Sequence, residues 1–247
     1  MKQYGLVGFP LSHSFSKKFF TEFFAKEFID AAYLNFELSN LSLLPAVIAE
    51  HPDLAGFNVT ITYKEAIIPY LDRCDPKAAA IMAVNTVKIE RKEGVRTLTG
   101  YNTDLIGFRD SIQPALQPHH RKALVLGTGG ASKAVVASLN DLSISTQLVS
   151  REAKAGISIS YSQLTRKLLE ENTIIVNTTP LGTYPKTETF PEIPYEFLTE
   201  KHLLFDLVYN PAVTQFLQKG ADRGAATKNG ADMLEIQALA AWRIWNE

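Results

Sequence analysis

The sequence lacks the features of several large classes of protein. Its 247 residues contain a single cysteine, Cys74, so no disulfide can form within the chain, and we expect a reducing cytoplasm as its location. A net charge of −1 offers no basic surface for nucleic acid or for an anionic membrane. No apolar run is long enough to span a bilayer, and the residues after Met1 lack the apolar core of a signal peptide.

The five histidines show no spacing typical of metal ligands, so the sequence predicts no metal site. The pair His119-His120 lies in a polar segment flanked by proline, and we interpret it as part of a solvated loop. What is present is an ordinary globular composition, with 46% hydrophobic and 21% charged residues. The length suits one large domain or two small ones with cores of their own.

Apolar runs alternate with helical patterns along the whole chain, which predicts an α/β fold with mostly parallel sheets. Residues 113–121, with two prolines, look like a link between two halves. We predict an N-terminal α/β domain at residues 1–103 and a Rossmann-type domain at 104–231. The predicted strands are residues 4–8, 33–38, 54–60, 84–90, 96–100, 123–126, 147–150, 173–177 and 203–208.

We assign the first and the last predicted helices of the chain to the N-terminal domain. The first begins with Ser14 or Ser16 as its N-cap. Its apolar face comprises Phe19, Phe20, Phe23, Phe24 and Phe28. The other is the last predicted helix, whose apolar face comprises Leu234, Ala238, Ala241 and Trp245. We expect residues 232–247 to pack back on the N-terminal domain and complete it, and Gln237 to share the inward face.

A glycine-rich turn follows the predicted strand 123–126 and opens a helix. Glycine lets a backbone approach a pyrophosphate closely, and a helix N-terminus offers free N–H groups to it. The usual third glycine is Ser132 here, and a tight strand-to-helix turn without a ligand is the alternative interpretation. The turn comprises Gly127, Thr128, Gly129, Gly130 and Ala131.

The residues after the next predicted strand bear on the choice of dinucleotide. NAD sites usually carry an acidic residue there for the ribose 2′-hydroxyl. This chain has Ser150, Arg151 and then Lys154, which suits the 2′-phosphate of NADP. Glu152 in the same segment argues against this preference, and ordinary solvated loop charges are the alternative.

Lys64 and Asp104 are the candidates for proton transfer. Each lies in a short polar motif upstream of the glycine turn, and an amine and a carboxylate near a dinucleotide suggest proton transfer coupled to hydride transfer. A solvated lysine and a helix-capping aspartate are the alternatives. Asn85 is harder to explain as an ordinary residue, because an amide within an apolar run requires a partner.

Together these segments resemble the shikimate dehydrogenase family, from residue 5 to about 245, with every motif in order. The departures are Thr62, where the family commonly has proline, and Thr183, where it often has methionine. The family's Asn-Arg-Thr cofactor loop is replaced by residues 150–152, which bears on NADP selectivity. The matching motifs are Gly8-Phe9-Pro10-Leu11-Ser12-His13-Ser14-Phe15-Ser16, Asn58-Val59-Thr60 through Lys64, and residues 83–87, 100–104, 177–182, 206–211 and 230–234 with Gln237.

The resemblance implies reversible reduction of 3-dehydroshikimate to shikimate by NADPH, in aromatic amino-acid biosynthesis. It gives Lys64 the role of proton donor and acceptor and Asp104, which also contacts the substrate, the role of orienting it. The substrate-binding residues that it implies are Ser14, Ser16, Thr60, Asn85, Tyr209 and Gln237. Outside the glycine turn and residues 150–154, the implied cofactor-binding residues are Thr178, Val208 and Gly230.

Two alternatives stay open. A quinate/shikimate dehydrogenase with relaxed cofactor use would carry the same motifs, and rates with both substrates would distinguish it. A non-catalytic NADP-binding sensor would share the fold but would have no use for both Lys64 and Asp104. The chain is expected to act as a monomer or a homodimer, without nucleic acid or membrane partners.

Overall fold

The chain folds into two compact units in a computed structural model that describes residues 1–11, 15–60 and 63–247. The first unit comprises Met1–Thr103 and Gln237–Glu247, and the second comprises Asp104–Ile236. Among the described residues, no helix combines the length and the apolar character needed to cross a bilayer.

The secondary structure is as follows. The strands of the first unit are β1 Lys2–Gly8, β2 Ala31–Glu37, β3 Leu54–Val59, β4 Arg73–Cys74, β5 Thr86–Lys92 and β6 Val95–Tyr101. Its helices are α1 Phe15–Lys26, α2 Leu44–Glu50, α3 Tyr63–Ala66 and α4 Pro76–Ala80. The strands of the second unit are β7 Lys122–Leu126, β8 Ser145–Ser150, β9 Ser158–Ser160, β10 Ile174–Asn177, β11 Leu203–Asp206 and β12 Ala226–Lys228. The remaining helices are α5 Thr103–Ile112, α6 Gly130–Asp141, α7 Arg166–Glu171, α8 Gln215–Ala221 and α9 Ala231–Asn246.

The sheet of the first unit has the strand order β2-β1-β3-β5-β6-β4. β1 pairs in parallel with β2 and β3, and β4 pairs in parallel with β6, whereas β5 is antiparallel to both of its neighbours. The register places Val7 beside Val59, so the carboxyl ends of β1 and β3 are adjacent. Ligands of parallel sheets bind at such ends, and the polar motifs of the sequence follow both strands.

The sequence Lys92-Glu93-Gly94 before residues 96–100 predicts a hairpin turn, and the structure confirms it between β5 and β6. Glu93 and Gly94 have φ angles of 52° and 79°, and Lys92 pairs with Val95 on either side of them. Positive φ at both central residues defines a type I′ turn, whose twist matches that of the flanking strands.

The last helix packs on the core of the first unit, as predicted. The Trp245 ring stacks on Tyr4 with 4.8 Å between the ring centroids and lies 5.4 Å from Phe20. Trp242 contacts Tyr4 edge-on at 5.3 Å. Tyr4, Phe20, Phe24 and Trp245 are buried in one aromatic cluster, and the half-buried Trp242 packs against it. Aromatic pairs at these distances add stability beyond the apolar area that they bury.

The prediction that Phe28 belongs to the apolar face of the first helix is wrong. α1 ends at Lys26, and Phe28 is 96% exposed with a φ of 53°. The Ile29 N–H donates to the Phe24 carbonyl and the Phe28 N–H to the Ala25 carbonyl, which is the Schellman pattern of helix termination. Phe28 therefore occupies the left-handed position that ends the helix. Ser16 lies inside α1 rather than at its N-cap, and Ser14 is outside the described residues.

The second unit has a fully parallel sheet with the strand order β12-β11-β10-β7-β8-β9. Numbered from β7, this is the order 3-2-1-4-5-6 read from the other edge, which is the Rossmann arrangement. Its core is apolar on both faces, and Phe108 of α5 meets Phe205 of β11 with 5.0 Å between their centroids. The α/β prediction with two mostly parallel sheets is confirmed. In such a sheet the ligand crevice opens where the order reverses, between β7 and β10.

The interpretation of both histidines at 119 and 120 as solvated is wrong for His120. That ring is 6% exposed; its Nδ1 accepts the Gln117 N–H at 2.9 Å, and its Nε2 lies 3.1 Å from the Lys201 carbonyl oxygen. These contacts fit the neutral ring protonated at Nε2. Burial lowers the pKa of His120, more than the hydrogen bond to Lys201 raises it.

Candidate functional site

The loop after β3 is packed against the end of β1. The Thr60 N–H donates to the Val7 carbonyl at 3.0 Å, and Thr60 is half-buried. A Cβ atom on Gly8 would lie 2.6 Å from Thr60 Cγ2, so any larger residue at position 8 would displace Thr60. Glycine at the end of β1 thus allows Thr60 its place at the carboxyl edge of the sheet.

Asn85 is the central acceptor of a buried polar cluster in the first unit. It immediately precedes β5, which begins at Thr86, two residues later than the predicted strand start at residue 84, and it is 3% exposed. Its Oδ1 accepts the Thr103 N–H at 2.7 Å and lies 3.1 Å from Thr86 Oγ1. The partner that a buried amide requires is therefore the first turn of α5.

Gln237 joins the same cluster from α9. Its Oε1 lies 3.3 Å from Thr103 Oγ1, across 134 residues of sequence, and the side chain is 8% exposed. The inward orientation predicted for Gln237 is confirmed. The Thr103 hydroxyl also lies 3.2 Å from Asn85 Oδ1 and 3.1 Å from Thr86 Oγ1. The Thr103 hydroxyl has one proton, so the Asn85 and Gln237 oxygens compete for it, whereas the Thr86 hydroxyl can donate to Thr103; the cluster has more than one hydrogen-bonding arrangement.

A second layer of residues, for which the sequence predicted no role of their own, supports this cluster. The Tyr33 hydroxyl donates to Asn58 Oδ1 at 2.8 Å, and Asn58 Nδ2 lies 3.1 Å from Thr86 Oγ1. The Tyr33 hydroxyl also bonds to the Ser16 side chain; burial raises the pKa of Tyr33, and the Ser16 bond opposes that rise. Ser16 and Asn85, both predicted substrate residues, are thus joined through Tyr33, Asn58 and Thr86. The amide of Asn58 within an apolar strand was the available signal.

Lys64 and Asp104 are each anchored next to this cluster by their backbone. The Lys64 carbonyl in α3 accepts the Val84 N–H at 2.8 Å, which fixes Lys64 beside the segment that carries Asn85. Asp104 follows Thr103 directly in the first turn of α5. Both side chains are half-buried.

In the second unit, hydrogen bonds join the glycine turn and the carboxyl ends of three neighbouring strands, β7, β8 and β10. The Gly127 N–H donates to the Val149 carbonyl of β8 at 2.8 Å. Thr178, which follows β10, donates to the Leu126 carbonyl through its N–H at 3.0 Å and its hydroxyl at 2.7 Å. Gly127 has a φ of 110°, and a Cβ atom there would lie 2.7 Å from Thr178 Oγ1. Only glycine fits this position without strain.

The start of α6 fits a dinucleotide phosphate. Cβ atoms on Gly129 and Gly130 would meet no described atom within 4 Å, so the backbone there faces open space. Gly129 is the N-cap of this helix and Gly130 its first residue, where free N–H groups favour anions. Ser132, in place of the third glycine, is buried and donates from Oγ to the Gly129 carbonyl at 2.6 Å. Thr128 is exposed and Ala131 is half-buried.

The segment after β8 presents two cations in a loop that folds back on itself. Arg151 and Lys154 are exposed, and the Lys154 N–H donates to the Ser158 carbonyl at 3.0 Å. Ser150 Oγ bonds to the Glu152 carbonyl and to Ser158 Oγ. These contacts fix the loop at the carboxyl end of β8, which is the neighbour of β7 in the sheet.

The remaining predicted cofactor residues lie on the segment after β11. The Gly230 N–H lies 3.3 Å from the Val208 carbonyl, and Val208 is buried. A Cβ atom on Gly230 would lie 2.3 Å from the Leu207 carbonyl oxygen, so the backbone at 230 sits directly against this segment. Tyr209, the next residue along, is 40% exposed.

Asp206, at the end of β11, forms hydrogen bonds with several segments of this region, and although it belongs to the motif 206–211, no role was predicted for its side chain. It is fully buried, and its carboxylate accepts hydrogen bonds from Asn177 Nδ2, the Val208 N–H and Thr214 Oγ1 at 2.9, 3.0 and 2.6 Å. Burial raises the pKa of Asp206 to about 6, against the lowering effect of the three hydrogen bonds. The signal in the sequence was an acidic residue at the end of an apolar strand.

Comparison with known proteins agrees with these features. Residues 6–87 match the family model described as the shikimate dehydrogenase substrate binding domain. A curated shikimate dehydrogenase (NADP(+)) of Clostridium beijerinckii is 38% identical over 256 residues, which cover 100% of this chain and 93% of that protein. A crystal structure of shikimate dehydrogenase 1 from Peptoclostridium difficile has a TM-score of 0.82 and 36% identity, covering 100% of this chain and 92% of that one.

The Thermus thermophilus shikimate 5-dehydrogenase in complex with NADP(H) and shikimate has a TM-score of 0.85 and 30% identity, with coverage of 99% of this chain and 93% of that one. The similarity therefore extends over both units rather than over one domain. The chain belongs to the shikimate dehydrogenase family.

Proposed function

We propose that this protein is an NADP-dependent shikimate dehydrogenase that reduces 3-dehydroshikimate to shikimate reversibly, within aromatic amino-acid biosynthesis. The observation that carries the proposal is the buried polar cluster of Asn85, Thr103 and Gln237, to which distant segments of the chain each contribute a polar side chain. A polyhydroxylated substrate requires such converging donors and acceptors on a rigid scaffold. Family membership and the Rossmann unit with its open glycine turn support the same conclusion.

The substrate carries a carboxylate and several hydroxyls. Ser14 and Ser16 bind the carboxylate, and Ser16 is supported by its bond to Tyr33. The other proposed substrate residues, which bind the ring hydroxyls or approach the ring, are Thr60, Asn85, Asp104, Tyr209 and Gln237. Amide and hydroxyl side chains can both donate and accept, which suits a ligand whose hydroxyls do the same.

Lys64 is the proposed proton carrier, and Asp104 orients it. NADPH, when bound, supplies the hydride that reduces the carbonyl carbon of 3-dehydroshikimate. In that direction Lys64 gives a proton to the carbonyl oxygen, and in the reverse direction it takes the proton back. The hydrogen bond between Lys64 and Asp104 stays a prediction.

The residues that hold NADP are proposed as follows. The first turn of α6 binds the pyrophosphate, and Arg151 and Lys154 bind the 2′-phosphate, since both are exposed cations on a loop fixed beside β8. Ser150 supports that loop. Thr178, Val208 and Gly230 line the nicotinamide side. Cytoplasmic location and a monomeric or homodimeric state stay predictions.

The experiment is a spectrophotometric assay with shikimate and quinate, each against NADP+ and NAD+. We expect the highest kcat/KM with shikimate and NADP+. A higher value with quinate or NAD+ would contradict the proposed substrate or cofactor. Tight NADP+ binding without turnover of either substrate would favour the sensor.

Lys64→Ala tests the proton step. We expect kcat to fall by about 10²–10⁴, the usual contribution of general acid–base catalysis. Lys77→Ala, in a different helix, is the control and should keep the wild-type kcat. A Lys64→Ala variant with unchanged kcat and a raised KM would make Lys64 a binding residue only.

A further inference from the structure

We propose that Asp206 is a positioning residue whose buried carboxylate holds the loops after β10 and β11 in the arrangement that binds the nicotinamide half of NADP, an inference that rests on the proposed function. Asp206 itself ends β11 and touches no substrate or cofactor in this proposal. It acts through Asn177, the last residue of β10, and Val208, which lies in the loop after β11.

Both carboxylate oxygens of Asp206 are occupied by donors from different segments. Oδ1 accepts from Asn177 Nδ2 at 2.9 Å and from the Val208 N–H at 3.0 Å, and Oδ2 accepts from Thr214 Oγ1 at 2.6 Å. An ionised carboxylate has no proton to donate and suits a site in which every partner is a donor. Hydrogen bonds to a charged acceptor are also the stronger kind.

Asn177 extends the network into the loop after β10. Its Oδ1 accepts the Thr179 N–H at 3.0 Å and the Thr179 hydroxyl at 2.6 Å. Thr178, between these two residues, is fixed by its own bonds to Leu126 at the glycine turn. Asp206 therefore links the end of β7, the loop after β10 and the loop after β11.

Val208 extends the network in the other direction. Its N–H is held by Asp206, and its carbonyl lies 3.3 Å from the Gly230 N–H. Thr214 both donates to Asp206 and accepts the Leu217 N–H at 3.3 Å as the N-cap of α8. The segment between Val208 and Thr214 is thus tied at both ends to one carboxylate, and it includes Tyr209.

Asp206 is fully buried, and the phenol of Tyr195 lies close enough to feel its charge. The Tyr195 pKa is raised first by burial, then by the nearby Asp206, then by Tyr161. The Lys219 ammonium lies 5.8 Å from the centroid of the Tyr195 ring. A carboxylate kept in such a place destabilises the fold when charged. That cost is explained if the charge serves to order the two loops.

The experiment compares two ligands on the full-length protein by calorimetry. The Kd of NADP+ depends on contacts with both halves of the cofactor. Adenosine 2′,5′-bisphosphate contains only the adenosine half, so its Kd depends on the contacts of that half alone. We expect Asp206→Ala to raise the Kd of NADP+ about tenfold or more, equivalent to the loss of one hydrogen bond to a charged group. The Kd of the bisphosphate should stay within about twofold of the wild type.

Asp206→Asn is the conservative variant. Its amide oxygen can still accept from Val208 and Asn177, and its amide nitrogen can donate to Thr214, so it should restore most of the NADP+ affinity. Asn172→Ala is the control, because Asn172 is buried at the opposite end of β10 and bonds to the Leu168 carbonyl. It should lower the melting temperature without changing either Kd.

An equal rise in both Kd values, or no rise in either, in Asp206→Ala would overturn the inference. Should Asp206→Ala fail to fold, Asn177→Ala tests the same link, since it leaves the Asp206 bonds to Val208 and Thr214 intact, with the same expected split between the ligands. A wild-type protein that binds neither ligand would instead contradict the proposed function. If the wild type binds both ligands and turns over substrate, but Asp206→Ala changes the two Kd values equally, only this inference is contradicted.

Discussion

The indole of Trp245 donates a hydrogen bond from Nε1 to the carbonyl oxygen of Val87, at 3.0 Å, inside the core of the first unit. The same ring lies over Gly56, where an added Cβ would meet Trp245 Cδ1 at 2.3 Å. The indole therefore attaches α9, the helix that carries Gln237, to the sheet of the first unit. This contact requires glycine at position 56, because a side chain there would overlap the ring.

We expect Trp245→Phe to lower the free energy of unfolding by about 1–3 kcal/mol, because the Val87 carbonyl loses its side-chain donor in a buried site. Trp242→Phe, on the same helix but half-buried, is the control and should cost less. Gly56→Ala should also destabilise the protein, since Trp245 must move. Urea unfolding of the three variants checks this, and equal stability of both tryptophan variants would contradict it.

Thr86→Val should damage both stability and substrate binding. The Thr86 hydroxyl is the link between Asn58 and Asn85, and valine leaves the buried Asn58 amide without that partner. We expect a loss of about 1–3 kcal/mol in stability and a rise of about tenfold in the KM of shikimate. The KM of NADPH should stay unchanged. Thr86→Ser keeps the hydroxyl and should keep the KM of shikimate; a Thr86→Val enzyme with normal KM would contradict the supporting role.

Arg151→Ala and Lys154→Ala should reduce the preference for NADPH over NADH. Each loses a charged partner of the 2′-phosphate, so we expect the ratio of kcat/KM values to fall about tenfold per substitution. Lys167→Ala is the control, because this lysine is an exposed cation of α7 that pairs with Glu171. If the ratio of kcat/KM values with NADPH and NADH is unchanged in both variants, the two cations do not bind the 2′-phosphate and are ordinary solvated charges.

Asp206 should make stability depend on pH. Its pKa is about 6 in the folded protein against the ordinary value of 3.8 for an aspartate, so the folded state binds the proton more tightly. Its contribution to stability is therefore fully present below 3.8 and is lost as pH rises through about 6. Relative to Asp206→Asn, the wild type should lose unfolding free energy between those values. Parallel pH profiles from urea unfolding of the two proteins would contradict this expectation.

Local patterns predicted the parts of the fold that depend on neighbouring residues. The alternation of strands and helices, the turn at Glu93-Gly94 and the inward face of α9 all follow from spacing and turn chemistry. Phe28 was misjudged because its spacing continues the apolar face, whereas the backbone hydrogen bonds that end α1 cannot be seen in that spacing. His120 was misjudged because its main-chain partner, Lys201, lies 81 residues away.

Only part of the candidate site could be predicted from the sequence. Asn85 and Gln237 could be singled out because amides on apolar faces need partners. The supporting roles of Tyr33, Thr86 and Asp206 could not be predicted, although Thr86 and Asp206 lie in the motifs 83–87 and 206–211, because those roles depend on which strands are neighbours in the sheets. A tyrosine or a threonine in a strand is ordinary until the register shows what lies beside it.

The division of α9 between the units has a consequence for how the protein is made. Residues Asp104–Ile236 of the second unit are contiguous, so that unit has all its residues once they have left the ribosome. The first unit begins the chain but needs Trp242 and Trp245 for its aromatic core and Gln237 for its polar cluster. The first unit therefore lacks part of its aromatic core and polar cluster until residues that follow the whole second unit have been synthesised.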